Sequence, residues 1–169
     1  MTYGDATGFT AYFTARAKTL AVSWDTTAIN AALLVASEWI DGVYGALFVG
    51  RKTAGFTQER EWPRIGAVAK DRGEYGDYYT FPDATIPDQV KNATYEAAYR
   101  QLTTPGSLLL DYTPAKYKKV AIDGAINVEY SQFSNSVEIQ TKFSIIDTIL
   151  TPLLDSAQMS GLSGSMSRV

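Results

Sequence analysis

Two stretches near the start of the chain place apolar residues at the spacing of an amphipathic helix. The first follows Asp5, and its apolar positions are Phe9, Tyr12, Phe13 and Ala17. The second follows Asp25-Thr26-Thr27, and its apolar positions are Ile29, Ala32, Leu33, Ala36, Ile40 and Val43. Because Asp and Thr are good N-caps, the pattern predicts a helix over residues 6–17. It predicts a second helix from Asp25 until Gly42 and Gly45 break the run.

The middle of the chain lacks a long period of either kind. Four glycines lie in the aromatic-rich segment from Gly55 to Gly76, so residues 45–85 are predicted to form a long ordered loop or extended arm. A third helix is predicted from Ile86-Pro87-Asp88, where proline and an acid favour helix initiation, to Pro105-Gly106. Its inward positions are Val90, Ala93, Ala97 and Gln101.

The C-terminal third changes to strand-like alternation and then to a last apolar run. Val120 and Ile122 face Ile126 and Val128 across Asp123-Gly124, which predicts a β-hairpin with a two-residue turn. Six later residues form an apolar face that the short helices of one subunit are not expected to cover: Phe143, Ile146, Ile149, Leu150, Leu153 and Leu154. The Ser- and Gly-rich residues 156–169 are predicted to form a flexible tail.

The composition excludes several classes of chemistry. The 169 residues include no cysteine and no histidine, which removes Cys and His metal sites, thiol nucleophiles and Ser-His relays. An enzyme would depend on carboxylates, lysine or tyrosine, and we predict a protein that is not an enzyme and holds no cofactor or metal. Neither a basic and apolar N-terminal block nor a run of 18 apolar residues is present. We therefore expect a soluble protein without a signal peptide or a membrane partner.

Charge is uneven along a chain whose formal net charge is −3. Residues 51–72 carry six basic and three acidic groups among aromatic residues, which is typical of a nucleic-acid footprint. The residues concerned are Arg51, Lys52, Arg60, Arg64, Lys70 and Arg72, with Phe56, Trp62, Tyr75, Tyr78, Tyr79 and Phe81. The alternative is that these cations pair with acidic neighbours on another subunit, which the acidic balance of the whole chain favours.

The candidate catalytic carboxylates and the candidate phosphate loop do not match the motifs that such sites require. Glu59 and Glu61 lie close together, as do Asp77 and Asp83, but neither pair has the spacing that Mg²⁺ or glycosidase chemistry demands. Gly50-Arg51-Lys52-Thr53 lacks the second glycine of a phosphate-binding loop. Neither carboxylate catalysis nor nucleotide binding is therefore predicted.

Several short motifs follow one another in a recognisable order. They are Ala36-Ser37-Glu38-Trp39-Ile40-Asp41 with Tyr44; Phe48, Gly50 and Lys52-Thr53; Gln58-Glu59-Arg60-Glu61-Trp62-Pro63-Arg64 with Gly66; Ile86-Pro87 with Val90, Ala93, Glu96 and Ala97; and Val128-Glu129-Tyr130-Ser131. This order resembles a family of tailed-bacteriophage head-to-tail adaptor proteins, often labelled "putative DnaT-like single-stranded DNA-binding protein". The resemblance covers roughly residues 5–154, and Trp-Pro-Arg is its most specific element.

The resemblance implies a small helical bundle with extended arms, which agrees with the periodicity of the chain. The expected fold is mainly α: a small helical bundle with a long loop, a β-hairpin and an extended C-terminal arm. Residues 1–112 would form the helical adaptor core, with the long loop at 45–85. Residues 113–155 would form the hairpin and a C-terminal helix or docking arm, and residues 156–169 the flexible tail.

The same resemblance implies a structural virion protein without catalytic residues. Such proteins form a ring, usually a dodecamer, that joins the portal protein to the stopper or tail-completion protein in the neck. The expected partners are these proteins and further copies of the chain, and the expected location is the virion after synthesis in the bacterial host cytoplasm. The free subunit is expected to be a monomer. The alternative function is a single-stranded DNA-binding replication accessory protein.

Genomic DNA would pass through the channel of such a ring without specific binding. An acidic wall would repel the DNA and let it slide, whereas many Lys and Arg contacts would hold its phosphates. Asp88 and Glu96 on the third helix are candidates for this wall. The alternative is that both acids lie on an ordinary solvated helix face.

Two groups of residues are predicted to form interfaces. Trp62 and Pro63 anchor the long loop, and the alternative for Trp62 is a simple core position. Arg64 is predicted to pair with a carboxylate, more on a neighbouring subunit than on its own, because the rigid Trp-Pro pre-orients its guanidinium. The second group is the set of six apolar residues from Phe143 to Leu154, predicted to be a docking arm. The alternative for this group is a final core helix.

Overall fold

The computed structural model describes residues 1–70, 78–108, 119–122, 126–129 and 143–155. Within these residues the fold is mainly α, as predicted. The four α-helices are α1 (Ala6–Thr14), α2 (Thr26–Tyr44), α3 (Asp88–Thr103) and α4 (Ser144–Leu150). Helix α3 packs against α2 and α4, and α1 packs against α2. The predicted tail, residues 156–169, lies outside the described residues, and the division of the chain into domains stays a prediction.

The first two helices begin at the predicted caps. The Asp5 carboxylate accepts the Gly8 N–H at 2.8 Å, and the Asp25 carboxylate accepts the Ala28 N–H at 2.7 Å. Helix α1 ends at Thr14, earlier than predicted, and the chain then turns through Ala17 at a φ of 52°. Helix α2 continues through position 42 to Tyr44, since a glycine inside a helix costs only about 1 kcal/mol.

Helix α3 confirms the third predicted helix. It begins at Asp88 directly after Pro87 and ends at Thr103, before the predicted Pro105-Gly106 stop. Val90, Ala93 and Ala97 of the predicted inward stripe are fully buried, while Gln101 is half-buried and accepts the Gly106 N–H at 3.2 Å. Helix α3 is therefore the central element between α2 and α4.

The predicted loop at 45–85 contains two small antiparallel sheets, which corrects the expectation of a long loop. Strand β1 (Arg51–Lys52) pairs with β2 (Arg64–Ile65), and β3 (Val68–Lys70) pairs with β4 (Tyr78–Thr80). Strands of two or three residues are too short to show an alternating pattern in the sequence. Their pairing is decided by the chain around them.

The predicted hairpin is present as β5 (Lys119–Ile122) and β6 (Ile126–Glu129). The register pairs Ile122 with Ile126 and Val120 with Val128. Three residues therefore separate the last pair, and the predicted two-residue connection is wrong. The Asp123-Gly124 turn itself lies outside the described residues.

The last apolar run packs into the core of its own chain. Ile146, Leu150, Leu153 and Leu154 are buried, and Phe143 and Ile149 are partly buried against the same cluster. After α4 a 3₁₀ turn, Thr151–Leu153, returns the chain to the segment after α2, where the Val49 N–H donates to the Leu153 carbonyl at 3.0 Å. This packing corrects the expectation that one subunit leaves the face uncovered. The assignment of these residues to an interface stays a prediction.

The core is rich in aromatic side chains that contact one another edge-on. Phe9 and Phe13 of α1 lie 4.9 Å apart between ring centroids, and Phe9 also meets Tyr95 of α3. Gly4 and Gly8 lie so close to the Tyr95 ring that a Cβ on either glycine would overlap it. Among the described residues no helix is both long enough and apolar enough to cross a membrane.

Candidate functional site

Trp62, the centre of the most specific motif, is fully buried in its own chain. Its ring lies 5.7 Å from that of Phe48 and 6.1 Å from that of Phe81, both edge-on, and the Trp62-Pro63 peptide is cis. The indole Nε1 has no hydrogen-bond partner in the described part of the chain. Trp62 fixes the segment after α2 to the core, while its predicted place at an interface, with Pro63, stays a prediction.

Tyr3 joins the N-terminal segment to α2 and to Trp62. Its hydroxyl donates to the Asp41 carboxylate and accepts the Trp62 N–H at 3.0 Å. Its own N–H donates to the Ser37 hydroxyl, also at 3.0 Å. Burial, and then the hydrogen bond to Asp41, raises the pKa of Tyr3 well above its usual value. The hydroxyl therefore remains protonated and donating at all ordinary pH values.

Arg60 is buried beside this group and holds three carboxylates. Its Nε donates to the Met1 carbonyl at 2.7 Å, and its terminal nitrogens lie 3.4 to 3.5 Å from Glu38, Asp41 and Glu59. Burial raises the pKa of Asp41, against the opposing effects of the Tyr3 hydrogen bond and the Arg60 charge. The cation is enclosed by partners of its own chain and presents little surface to a ligand.

Arg64 pairs within its own chain, which corrects the expectation of a partner on a neighbouring subunit. Its Nη1 lies 2.7 Å from Glu61 Oε2, and the other carboxylate oxygen, Oε1, lies 2.9 Å from Lys52 Nζ. The other guanidinium nitrogens donate to the carbonyls of Val49 at 2.9 Å and Gly50 at 2.7 Å. The fork thus points toward the turn between α2 and β1. Its assignment to an interface stays a prediction.

Three of the six cations in the predicted basic footprint form these ion pairs within the chain. Lys52, Arg60 and Arg64 are all engaged with carboxylates of the same chain, and Arg51 alone among the described arginines of the segment is exposed. Of the aromatic residues, Phe56, Tyr78 and Tyr79 are exposed, whereas Trp62 and Phe81 are buried. Arg72 and Tyr75 lie outside the described residues. Among the described side chains of the segment, Lys52, Arg60 and Arg64 therefore form no continuous cationic surface with Arg51.

The candidate carboxylate pairs are also engaged or dispersed. Glu59 accepts the N-terminal ammonium of Met1 at 2.9 Å, and this contact lowers the pKa of Glu59. Glu61 is bound to Lys52 and Arg64 as described above. Asp83 is exposed, and Asp77 lies outside the described residues. Across the described ranges no three acidic side chains come close enough to hold a metal ion.

The two acids proposed for a channel wall have different environments. Asp88 is exposed and pairs with Lys91 at 3.1 Å. Glu96 is buried, accepts the Tyr12 hydroxyl at 3.3 Å and lies 3.2 Å from Arg100 Nη1. Glu96 is therefore part of the interior contact between α1 and α3, which corrects both its expected place in a channel wall and the alternative of a solvated face.

A cationic surface that the sequence did not predict forms where the chain after α1 meets the end of α3. The Arg16 guanidinium lies 3.4 Å from the Tyr12 ring centroid, Lys18 Nζ lies 3.6 Å from that of Tyr99, and the Arg100 guanidinium lies 4.9 Å from that of Phe143. We call these three cations and three rings the cationic face. No motif marks it, because its members come from three separate parts of the sequence, residues 12–18, 99–100 and 143.

A groove of about 280 Å³ adjoins the cationic face. It is lined by Tyr99, Arg100, Thr103, Thr104, Ser107 and Phe143. The Ser107 hydroxyl is shielded from solvent and has no hydrogen-bond partner among the described residues. The groove thus combines one cation with hydroxyl groups, of which one is unpaired.

A wider groove of about 560 Å³ lies between β4 and the start of α3. Tyr79 and Phe81 line it together with three prolines, Pro82, Pro87 and Pro152. The two rings lie 4.9 Å apart and edge-on, so the exposed Tyr79 rests on the buried Phe81. This groove is apolar on one side and carries the Asp88–Lys91 pair on the other.

The chain matches one family model over residues 2–169, and the family is described as "Putative DnaT-like ssDNA binding protein". The protein belongs to this family. The match spans nearly the whole chain and confirms the DnaT-like family label that the motif order indicated. No curated protein and no solved structure matches the chain. The family description names binding to single-stranded DNA and does not name a virion or a connector.

Proposed function

We propose that this protein is a structural adaptor of the tailed-phage neck, which assembles as a ring between the portal protein and the stopper or tail. The single observation that carries the proposal is the hairpin of β5 and β6, because its two strands pair with each other and join no larger sheet of the described chain. The order of motifs around Trp62 in the sequence supports the same proposal. No step of catalysis is involved.

An isolated two-stranded hairpin is marginally stable in water and needs a third strand or a packing surface. Two of the four pairs in this hairpin join apolar residues, Val120 with Val128 and Ile122 with Ile126. The two remaining pairs join Lys119 with Glu129 and Ala121 with Asn127. A strand or helix of a neighbouring copy in a ring would supply the surface that such a hairpin requires.

The rest of the described chain suits a rigid unit in such a ring. Arg60 and Arg64 are buried and paired inside the subunit, so these two cations do not hold passing DNA through its phosphates. Phe56, Tyr78 and Tyr79 are exposed aromatic residues that a neighbouring protein would cover. We therefore place the contacts between subunits at the hairpin and at these aromatic residues.

Native mass spectrometry of the full chain, alone and mixed with the portal ring of the same virus, tests the proposal. We expect the free chain to be a monomer and the mixture to contain a closed ring of copies bound to the portal. The double variant Val120→Asp/Val128→Asp should lose the ring and keep the circular-dichroism melting curve of the wild type. The matched control Val22→Asp changes a fully exposed valine and should assemble normally.

Two results would overturn the proposal. If the full chain does not bind the portal and is absent from purified virions, the adaptor function is wrong. If the hairpin variant assembles as well as the wild type, the hairpin is not the contact and the observation that carries the proposal is removed.

The family description favours a second candidate function, binding of single-stranded DNA. A replication accessory protein with this function would bind DNA through phosphate contacts and would therefore lose affinity steeply with salt. Fluorescence anisotropy with a labelled oligo(dT) measures this directly. Binding that weakens strongly with salt would support the second candidate, and no binding at low salt would exclude it.

A further inference from the structure

We propose that the cationic face, together with the Ser107 groove beside it, binds the phosphodiester backbone of single-stranded DNA. The inference rests on the second candidate function and names its site, which the sequence had placed in residues 51–72. The cations concerned are Arg16 and Lys18 after the end of α1 and Arg100 on α3. The way in which these three side chains are held supports the proposal.

Each cation of the face is held in place by an aromatic ring of the same chain. Arg16, two residues after the end of α1, also donates from Nη1 to the Tyr12 carbonyl of that helix at 2.9 Å. Lys18 contacts both Tyr99 and Phe13, at 3.6 and 5.2 Å from the ring centroids. A long side chain fixed in this way loses less conformational entropy when it binds a ligand, which favours binding. Arg16 and Lys18 nevertheless remain exposed.

The charge of the face is positive although the chain as a whole is acidic. Glu96 is the acid in contact with this set among the described residues; it is buried and bound to Arg100. Neither Arg16 nor Lys18 has a carboxylate partner within the described ranges. The basic segment differs in this respect, because Lys52, Arg60 and Arg64 each contact a carboxylate, and Lys52 and Arg64 share that of Glu61. Local positive charge of this kind attracts polyanions even on an acidic protein.

The groove supplies hydrogen-bond donors next to the fixed charges. Arg100 lines it, and the Ser107 hydroxyl in its wall has no partner in the described chain. A buried hydroxyl without a partner costs free energy, and a phosphate oxygen would accept a hydrogen bond from it. Thr103 and Thr104 line the same groove, although the Thr103 hydroxyl already donates to the Tyr99 carbonyl at 2.8 Å. A phosphate in the groove would therefore contact the Arg100 cation and accept a hydrogen bond from the Ser107 hydroxyl.

Fluorescence anisotropy of the full chain with a labelled oligo(dT) of about 20 nucleotides, at about 50 and 200 mM NaCl, tests the site. Arg16→Gln/Lys18→Gln should weaken binding roughly tenfold and reduce the salt slope by about 1.4, which is 0.7 for each lost phosphate contact. The matched control Arg51→Gln/Lys91→Gln removes two other cations and should bind as the wild type does. Circular dichroism confirms that all variants are folded.

Ser107→Ala separates a binding role from a structural one. Removing an unpaired buried hydroxyl should leave the melting temperature unchanged or slightly higher, since no hydrogen bond is lost. Affinity for oligo(dT) should nevertheless fall several-fold. A variant that keeps full affinity would show that the groove takes no phosphate and would overturn that part of the inference.

The remaining outcomes distinguish the site from the function. If the wild type binds oligo(dT) and the variant at Arg16 and Lys18 binds equally well, the second candidate function stands and the proposed site is wrong. If the wild type does not bind at about 50 mM NaCl, both are wrong. If poly-glutamate displaces the oligonucleotide at equal charge, the face recognises acidic polypeptides instead, which also overturns the inference.

Discussion

The Arg64 guanidinium lies 2.7 Å from the Glu61 carboxylate, and the two residues flank the buried Trp62 and the half-buried Pro63 in the sequence. The same guanidinium donates to the carbonyls of Val49 and Gly50, so it connects the motif to the chain that follows α2. A pair expected to join two subunits therefore holds one subunit together. The three nitrogens of the planar guanidinium donate to different acceptors, which explains why an arginine suits the position.

Loss of the Arg64 fork should destabilise the subunit. Arg64→Ala removes the donor to the carbonyls of Val49 and Gly50 and leaves Glu61 with Lys52 alone, and we expect a cost of about 3–5 kcal/mol in the free energy of unfolding. Arg64→Lys keeps the charge but not the fork and should be nearly as costly. Urea unfolding measures both, and Arg51→Ala, at an exposed position, should stay within about 0.5 kcal/mol of the wild type. Wild-type stability of Arg64→Ala would show that the pair contributes nothing.

Trp62 should contribute through its buried volume and not through its indole N–H. Trp62→Ala is expected to cost about 3–5 kcal/mol, because it opens a cavity between Phe48 and Phe81. Trp62→Phe should cost clearly less, since the Nε1 has no hydrogen bond to lose in the described chain. Thermal unfolding of the two variants shows which of them loses more stability. Equal losses would indicate an acceptor for the indole that the packing does not reveal.

The free energy of unfolding should fall at alkaline pH because of two buried tyrosines, Tyr3 and Tyr44. Burial, and then hydrogen bonds to Asp41 and Asp147, raises the pKa of Tyr3 and Tyr44 well above 10 in the folded chain. Above pH 10 the unfolded chain loses these protons and the folded chain keeps them, so the free energy of unfolding falls as pH rises. Each tyrosine contributes a slope of up to about 1.4 kcal/mol per pH unit.

The variants Tyr3→Phe and Tyr44→Phe isolate this effect. Each should reduce the alkaline slope by up to about 1.4 kcal/mol per pH unit between pH about 10 and 11, because the other groups titrate alike in wild type and variant. Urea unfolding at several pH values measures the slope. An unchanged slope in both variants would contradict the protonated state assigned to these hydroxyls.

The last helix should behave as core. Leu150→Ala removes a fully buried side chain and is expected to cost about 2–5 kcal/mol, whereas Ile145→Ala, on the exposed side of the same helix, should cost far less. Chemical denaturation of the isolated subunit compares the two. If Leu150→Ala keeps wild-type stability and only prevents attachment to the portal, the docking-arm prediction is restored.

The sequence by itself determined the helices and hence the fold class. Asp5 and Asp25 cap their helices locally, Pro87 and Asp88 start α3, and the apolar spacing of α2 identifies its buried side. These signals act over a few residues, and so they can be read without the rest of the chain. The order of motifs around Trp62 indicated the family in the same way.

Only the tertiary structure decided which partner each residue has. The pairing of two-residue strands, the choice of Glu61 for Arg64 and the burial of Leu150 depend on segments far apart in the sequence. The cationic face is the extreme case, since Lys18 and Tyr99 meet only because α1 packs on α3. Periodicity reports one element at a time, whereas the free energy of burial and pairing depends on which elements meet.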